Sequence, residues 1–219
     1  MNKHKKVIFW DWNGTLLNDV EICIKAMNIM LQKRGMALLD EKRYKEVFTF
    51  PVIDYYSALG FDFEKEPFEI PAIEFIDEYK KLLPATLLFD DVFDILEYFK
   101  NSGIKQYILS AMESSALKES IRSRNIYNYF HSINGLEDHY AHGKQHVAEQ
   151  LMSKEGIMPG EVIMIGDTLH DYEIAQNLGI DLVLVDRGHQ SRERLMTTKE
   201  LVLNNLAELA ANELFMKRQ

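Results

Sequence analysis

Val7-Ile8-Phe9-Trp10-Asp11-Trp12-Asn13-Gly14-Thr15-Leu16 is the stretch on which the fold turns. Its first four residues are apolar without interruption and rich in β-favouring types, and they stop abruptly at an acid. That pattern reads as a strand buried on both faces running into a loop. Similar runs recur at Gln106-Tyr107-Ile108-Leu109, Val162-Ile163-Met164-Ile165 and Leu182-Val183-Leu184-Val185, each followed within a residue or two by Ser, Asp or Gly. Helical patterns over 116–124, 144–154 and 172–177 lie between the later runs. The alternation predicts an α/β fold, a Rossmann-like doubly wound parallel sheet, with ligands bound beyond the carboxyl ends of its strands.

Between about residues 18 and 88 this rhythm breaks. Helical patterns over 20–34, 42–48 and 73–83 occur there with no convincing buried strand, and Pro51, Pro67, Pro71 and Pro84 punctuate them as helix starts or stops. The segment reads as an α-helical insertion, which assigns 1–17 and 88–219 to the α/β core and 18–87 to a second, helical unit. Residues 90–100 have apolar side chains at helical spacing where the chain returns to the core, and 205–216 read as an amphipathic packing helix. No internal repeat is found.

A length of 219 residues suits one core carrying a smaller insertion. Hydrophobic residues at 47 % and charged residues at 27 % are ordinary for a globular chain that buries a core. Lys and Arg number 25 against 34 Asp and Glu, so the net charge of 25 − 34 = −9 argues against nucleic acid or an anionic membrane as the main partner. The single cysteine, Cys23, cannot form an internal disulfide or a Cys-based zinc site, which points to a reducing compartment. The apolar run after the basic Met1–Lys6 segment is too short for a signal peptide, and no stretch approaches the roughly 20 apolar residues of a membrane span. A cytoplasmic protein is expected.

Asp11 leaves a strand end, and Gly14 lets the backbone turn close to a ligand. Far downstream Gly166-Asp167-Thr168-Leu169-His170-Asp171 repeats the arrangement, with two carboxylates four residues apart at a helix start. Taken singly, each acid reads equally well as a turn residue or a helix cap. Together they bring acids from two strand ends to one crevice. Such a cluster needs a cation to offset its own repulsion, and an all-oxygen ligand set suits Mg²⁺, which also screens a phosphate.

In this order and at these strand ends, the residues resemble the haloacid dehalogenase superfamily, and the resemblance covers the whole chain. Asp11 matches the nucleophilic aspartate of the first motif and Ser110, after Tyr107-Ile108-Leu109, matches the second. Lys144 matches the third, and Asp167 with Asp171 match the fourth. The insertion resembles the superfamily's mobile helical cap, and the motif order is similar to that of the phosphoglycolate phosphatase group. The resemblance implies a Mg²⁺-dependent phosphatase of a small phosphorylated metabolite. Asp11 would form an aspartyl phosphate, splitting one difficult displacement into two easier ones. Mg²⁺ would be held by Asp11, the backbone carbonyl of Asn13 and Asp167, with Asp171 completing the acidic site by anchoring Lys144 or a metal-bound water. Ser110 and Lys144 would hold phosphate oxygens, with help from Thr15. No stretch of the insertion specifies a substrate, and nothing in the chain fixes an oligomeric state.

One position departs from the family. Most of its phosphatases carry a second aspartate two residues after the nucleophile, as acid and base for the leaving oxygen and the attacking water; here that position is Asn13. A carboxamide orients a group by hydrogen bonding but does not shuttle a proton, a loss worth roughly 10²- to 10⁴-fold. Three readings follow. The first is a phosphatase suited to good leaving groups such as acyl or aryl phosphates; the second is a phosphate-binding or regulatory protein without turnover. The third is a carbon-centred hydrolase, a dehalogenase or a phosphonate hydrolase, for which Lys25, Lys33, Lys42 and Lys45 are candidate Schiff-base lysines.

Other features read more blandly. His139, His142 and His146 lack a partner pattern for zinc and read as surface or loop residues. His170 lies between two proposed site residues but equally suits an exposed helix start. The segment Arg187-Gly188-His189-Gln190-Ser191-Arg192-Glu193-Arg194 could approach a phosphate, although a solvated loop is the simpler reading. Phe48-Thr49-Phe50-Pro51 is a candidate for the surface of the insertion that faces the site. Asn13-Gly14 is a pair prone to deamidation wherever its loop is flexible.

Overall fold

The computed structural model describes residues 5–136 and 143–211. Its strands are β1 (Val7–Trp10), β2 (Lys105–Glu113), β3 (Ser132–Leu136), β4 (Val162–Gly166), β5 (Asp181–Val185) and β6 (Leu201–Leu203). They form one sheet in the order β3-β2-β1-β4-β5-β6, parallel at every pairing. β1 lies at the point where the winding reverses, and the crevice outside its carboxyl end is where such sheets bind ligands.

The uninterrupted apolar runs are explained by two cores, one on each face. Along β1, Ile8 and Trp10 enter one apolar layer while Val7 and Phe9 enter the other. The first layer is closed by α5 (Val92–Asn101) and α6 (Ser114–Ser123) through Ile95, Phe99, Leu117 and Ile121. The second is closed by α7 (Lys144–Glu155) and α8 (Leu169–Leu178) through Leu151, Met152 and Ile174. Truncating a fully buried side chain such as Ile8 or Phe99 to Ala costs about 2–5 kcal/mol in cores of this kind.

The inserted segment holds α1 (Val20–Lys33), α2 (Glu41–Val47), α3 (Val52–Leu59) and α4 (Glu69–Leu82) and contains no strand. These helices share an apolar cluster of their own that includes Met27, Met30, Leu31, Tyr44 and Tyr56. The chain leaves and re-enters the core at adjacent points. Leu17 and Leu88 form an isolated antiparallel bridge, Asn18 N–H donates to Leu87 O at 3.0 Å, and Phe89 N–H donates to Leu16 O at 3.2 Å.

Several local readings are corrected. Strands β3 and β6 were not expected: β3 carries Asn134 and Gly135, poor strand formers alone, and is held by its neighbour, with Asn134 Nδ2 donating to Ile108 O. β2 runs past Leu109 to Glu113 across an irregularity in register, so Ser110 lies within a strand and not at its end. Helix α3 was not anticipated, and α4 starts at Glu69, with Pro71 tolerated in its first turn, where amide groups lack partners anyway. In place of the amphipathic helix over 205–216, Leu206–Ala211 forms a 3₁₀ segment, and residues beyond 211 lie outside those described. Leu206 and Leu209, three apart, match the three-residue period of that tighter helix and dock into the first layer. No described helix is long and apolar enough to cross a membrane.

Candidate active site

Strand β1 ends at Trp10, and the next residue, Asp11, is pinned to β4 by its amide, which donates to Ile165 O at 2.9 Å. Lys144 opens α7 and is almost wholly buried, an unusual place for an ammonium group unless it is paired. Its Nζ donates to Asp11 Oδ1 at 2.5 Å and to Asp171 Oδ1 at 2.6 Å. Burial alone would lower the Lys144 pKa, but the two carboxylates outweigh it and raise it, so the ammonium is retained. Asp171 also serves the backbone. Its Oδ2 accepts from the amides of Asp167 and Thr168 and from Thr168 Oγ1, closing a capping box at the start of α8. A Cβ on Gly166 would overlap the Asp171 carboxylate, so only glycine fits there.

Asp167, fully buried, is held from two sides. Thr15 Oγ1 donates to Oδ1 at 2.9 Å and the His189 amide donates to Oδ2 at 2.6 Å. Gly14 has φ +73°, and a Cβ there would collide with the same carboxylate. Burial pushes the pKa of Asp11 and Asp167 upward, and for Asp11 the charges of Asp171 and Asp167 add to that while Lys144 opposes it. Burial acts on Asp171 too, but Lys144 prevails and lowers its pKa. Asp11, Asp167 and Asp171 each place a carboxylate oxygen within 4.8 Å of the others. Three hard oxygen donors gathered this closely, with Lys144 bonded to only two of them, form a donor set that fits a divalent cation of the Mg²⁺ type.

A second network adjoins the first and was not anticipated. Asn13 Nδ2 donates to Asp19 Oδ2 at 2.7 Å and lies 2.8 Å from Tyr79 Oη, which itself donates to Asp19. Asp19 also accepts from the Gly14 amide and lies 3.4 Å from His189 Nε2, while His189 Nδ1 meets Tyr44 Oη at 2.8 Å. Burial favours a neutral Asp19, yet His189, Asn13 and Tyr79 together lower its pKa. Burial likewise opposes a charge on His189, but Asp19, Asp167 and Asp11 raise its pKa to about 9. Asp19, Cys23 and His189 also stand close enough to be considered as metal ligands, but the carboxylate and ring nitrogens are engaged by hydrogen bonds. One signal for these residues was present: Asp19 precedes a helix and His189 follows β5 at the same sheet edge as Asp11.

The remaining expected residues fall out as follows. Ser110 is buried on β2 with its Oγ accepting from the Met112 amide at 3.1 Å, while Thr15 contacts Asp167. His170 is half-buried and stacks on Phe50, with ring centroids 4.7 Å apart. The arginines of 187–194 are structural ties. Arg187 pairs with Asp91 at 2.7 Å and donates to Thr15 O, Arg192 pairs with Asp186, and Arg194 donates to Phe48 O. His139 and His142 lie outside the described residues, and His146 sits on the exposed face of α7 near Glu149.

The carboxylates and Lys144 open into a cavity of about 360 Å³, whose lining does not include Ser110 or Thr15. Asp11, Asn13, Lys144, Asp167 and Asp171 line its core side, and the insertion supplies a wall from α2 through α4 that includes Phe48 and Phe50. Lys25, Lys33, Lys42 and Lys45 do not line it, and Lys25, Lys33 and Lys45 are paired with glutamates on the surface.

The model of the haloacid dehalogenase-like hydrolase family matches residues 7–185. Among curated relatives, a 5'-nucleotidase of Pseudomonas aeruginosa is 25 % identical over 195 residues, covering 86 % of both chains. A phosphoglycolate phosphatase of Synechococcus elongatus is 22 % identical, covering 87 % of this chain and 88 % of its own. Among solved structures, a haloacid dehalogenase-like family hydrolase from Streptococcus pneumoniae superposes with a TM-score of 0.82 at 23 % identity, over 95 % of this chain and 98 % of its own.

Proposed function

The chain belongs to the haloacid dehalogenase-like hydrolase family, and from that premise we propose that it is a Mg²⁺-dependent phosphatase of a small phosphorylated metabolite, with Asp11 as the nucleophile. The observation that carries this reading is the Lys144 ammonium held between Asp11 and Asp171 beside Asp167, at the carboxyl ends of β1 and β4. The division of the chain into a core of 1–17 and 88–219 and a helical cap of 18–87 belongs to the same reading and is supported by the paired stem at Leu17 and Leu88.

Asp11, Asp167, Asp171 and the Asn13 carbonyl would hold Mg²⁺, which supplies positive charge against the phosphate and the developing transition state. An Asp11 carboxylate oxygen attacks phosphorus, the bond to the ester oxygen breaks, and the phosphoryl group stays on Asp11 until water displaces it. Lys144 orients Asp11 and places a positive charge beside the phosphate. Ser110 binds a phosphate oxygen through its hydroxyl hydrogen, which has no acceptor among the described residues. Thr15 and the His189 amide fix Asp167 in position. Asn13 is a donor to Asp19 and transfers no proton, so the departing oxygen takes its proton from water.

The test is Mg²⁺-dependent phosphate release from a panel of acyl, aryl and alkyl phosphates. Release that vanishes in Asp11→Asn and in EDTA is expected; release that survives Asp11→Asn rejects Asp11 as nucleophile. Asn13 also favours a second reading, a phosphate-binding protein without turnover. A wild type inert on the whole panel, yet binding inorganic phosphate with Mg²⁺, would favour that one.

A further inference from the structure

The cavity above Asp11 is built from two unlike halves. Its core side carries the charged Asp11, Lys144, Asp167 and Asp171, whereas the insertion's lining, Asp19 and Lys80 apart, is uncharged and includes the rings of Phe48, Phe50, Tyr55, Tyr56 and Phe75. We infer that, on the phosphatase reading above, the leaving group is a planar aromatic ring: the substrate is the phosphate monoester of a phenol-type alcohol and not of a small acid or a sugar.

The wall favours a flat apolar guest. Its rings meet one another edge to face, Phe48 against Phe50 at 5.5 Å and against Tyr55 at 5.2 Å, and such a cluster offers a further ring both edges and faces to pack against. Phe50 stacks on His170, so the wall continues onto the core side above the carboxylates. Among the described lining residues from the insertion, Lys80 alone is cationic, and it is exposed at the last turn of α4. A carboxylate or second phosphate on the leaving group would find no buried lysine or arginine among the insertion's lining residues.

The chemistry at Asn13 points the same way, independently of the wall. Asn13 supplies no proton to the leaving oxygen, so a group that is stable as an unprotonated anion departs more readily. A phenolate, with a conjugate acid of pKa about 10, does so far more readily than an oxygen whose conjugate acid resembles water at about 15.7. In the first step the Asp11 oxygen bonds to phosphorus and the aryl oxygen leaves with the electron pair of the broken bond, later taking a proton from water. In the second, water bonds to phosphorus, releases a proton to solvent and frees the Asp11 carboxylate and inorganic phosphate.

Since aryl phosphates react faster on any such enzyme, ring recognition is read from binding. Phenylphosphonate, methylphosphonate and carboxymethylphosphonate, none of them hydrolysed, are compared as competitive inhibitors of acetyl phosphate release by the full chain with Mg²⁺. Phenylphosphonate is expected to bind at least 10-fold more tightly than either, and Phe75→Ala should shrink that ratio several-fold. A partly unfolded variant would weaken all three alike and leave the ratio intact. Equal inhibition by the three compounds, tighter binding of the carboxymethyl compound, or a ratio unmoved by Phe75→Ala overturns the inference. Acetyl phosphate carries no ring, so its hydrolysis together with equal inhibition would sink the aromatic leaving group alone. Absence of release from both acetyl and phenyl phosphate would sink the phosphatase reading and this inference with it.

Discussion

Replacing Asn13 by Asp restores the acid the family carries there, and the structure gives the change a second consequence. The amide that now donates to Asp19 Oδ2 lies 2.7 Å from it, and a carboxylate in its place would put two negative charges at that separation. At an effective dielectric of about 20 they repel by roughly 6 kcal/mol, or about 4 pK units. The pair would therefore keep one proton well above the ordinary carboxylate range near 4. Above about pH 4 the folded variant holds a proton that the unfolded chain has released, so its stability falls relative to wild type as pH rises. The loss runs at about 1.4 kcal/mol per pH unit and reaches roughly 4 kcal/mol at pH 7. His189 faces Asp19 from the other side and is cationic below about pH 9, which makes that figure an upper bound. The retained proton also makes the new carboxyl an acid at neutral pH. Alkyl phosphates should gain about 10²-fold or more in rate, while acyl and aryl phosphates change little. Denaturant unfolding of both proteins in EDTA at pH 5, 6, 7 and 8, paired with phosphate release from an alkyl and an aryl ester, makes the comparison. A stability difference that does not vary with pH, or an alkyl rate no faster than wild type, would refute the reasoning.

Three other expectations follow from the same site. Lys144→Met leaves Asp11 and Asp171 without their shared ammonium and should reduce phosphate release by about 10²- to 10³-fold, with a rate still within 10-fold of wild type counting against it. His189 has its pKa raised from 6.5 to about 9, so its contribution to stability is complete below about pH 6.5 and is lost as pH rises through 9, an effect of about 3 kcal/mol. Unfolding in EDTA between pH 6 and 10 should show that loss in wild type and not in His189→Gln, so the stability gap between them narrows as pH rises. Deamidation at Asn13-Gly14 should be slow despite the sequence, because the attacking Gly14 amide is engaged with Leu17 O and Asp19 Oδ1 and the Asn13 side chain is tied to Asp19. Peptide mass spectrometry of aged protein should find no mass gain there.

What could be read in the chain depended on how local its cause was. β1 and β4 were legible because a strand buried on both faces must be apolar at every position. β3 was not, since Asn134 and Gly135 are strand residues only by virtue of β2 beside them. Asp11, Asp167 and Asp171 stood out because together they bring acids from two strand ends to one crevice, Lys144 only through the family resemblance, and the structure brings the four together. Tyr79, Tyr44 and His189 did not, because each becomes meaningful through partners 60 or more positions away, as in the 2.8 Å contacts of Tyr79 with Asp19 and of Tyr44 with His189, and Asp19 draws on those same distant residues besides its near neighbours Asn13 and Gly14. Arg187 and Arg194 escaped for the same reason: their partners are backbone carbonyls and an acid contributed by distant segments.

The loop after β5 holds two things at once. Through the His189 amide it fixes Asp167, and through Gln190 and Arg194 it grips the carbonyl of Phe48, a ring of the cavity wall. The acid that would hold a cation and the surface that would receive a leaving group are thus gauged from one short piece of backbone. An insertion, deletion or glycine in that loop would shift both together, so relatives that diverge there should differ in metal affinity and in selectivity as a linked pair, neither free to drift without the other.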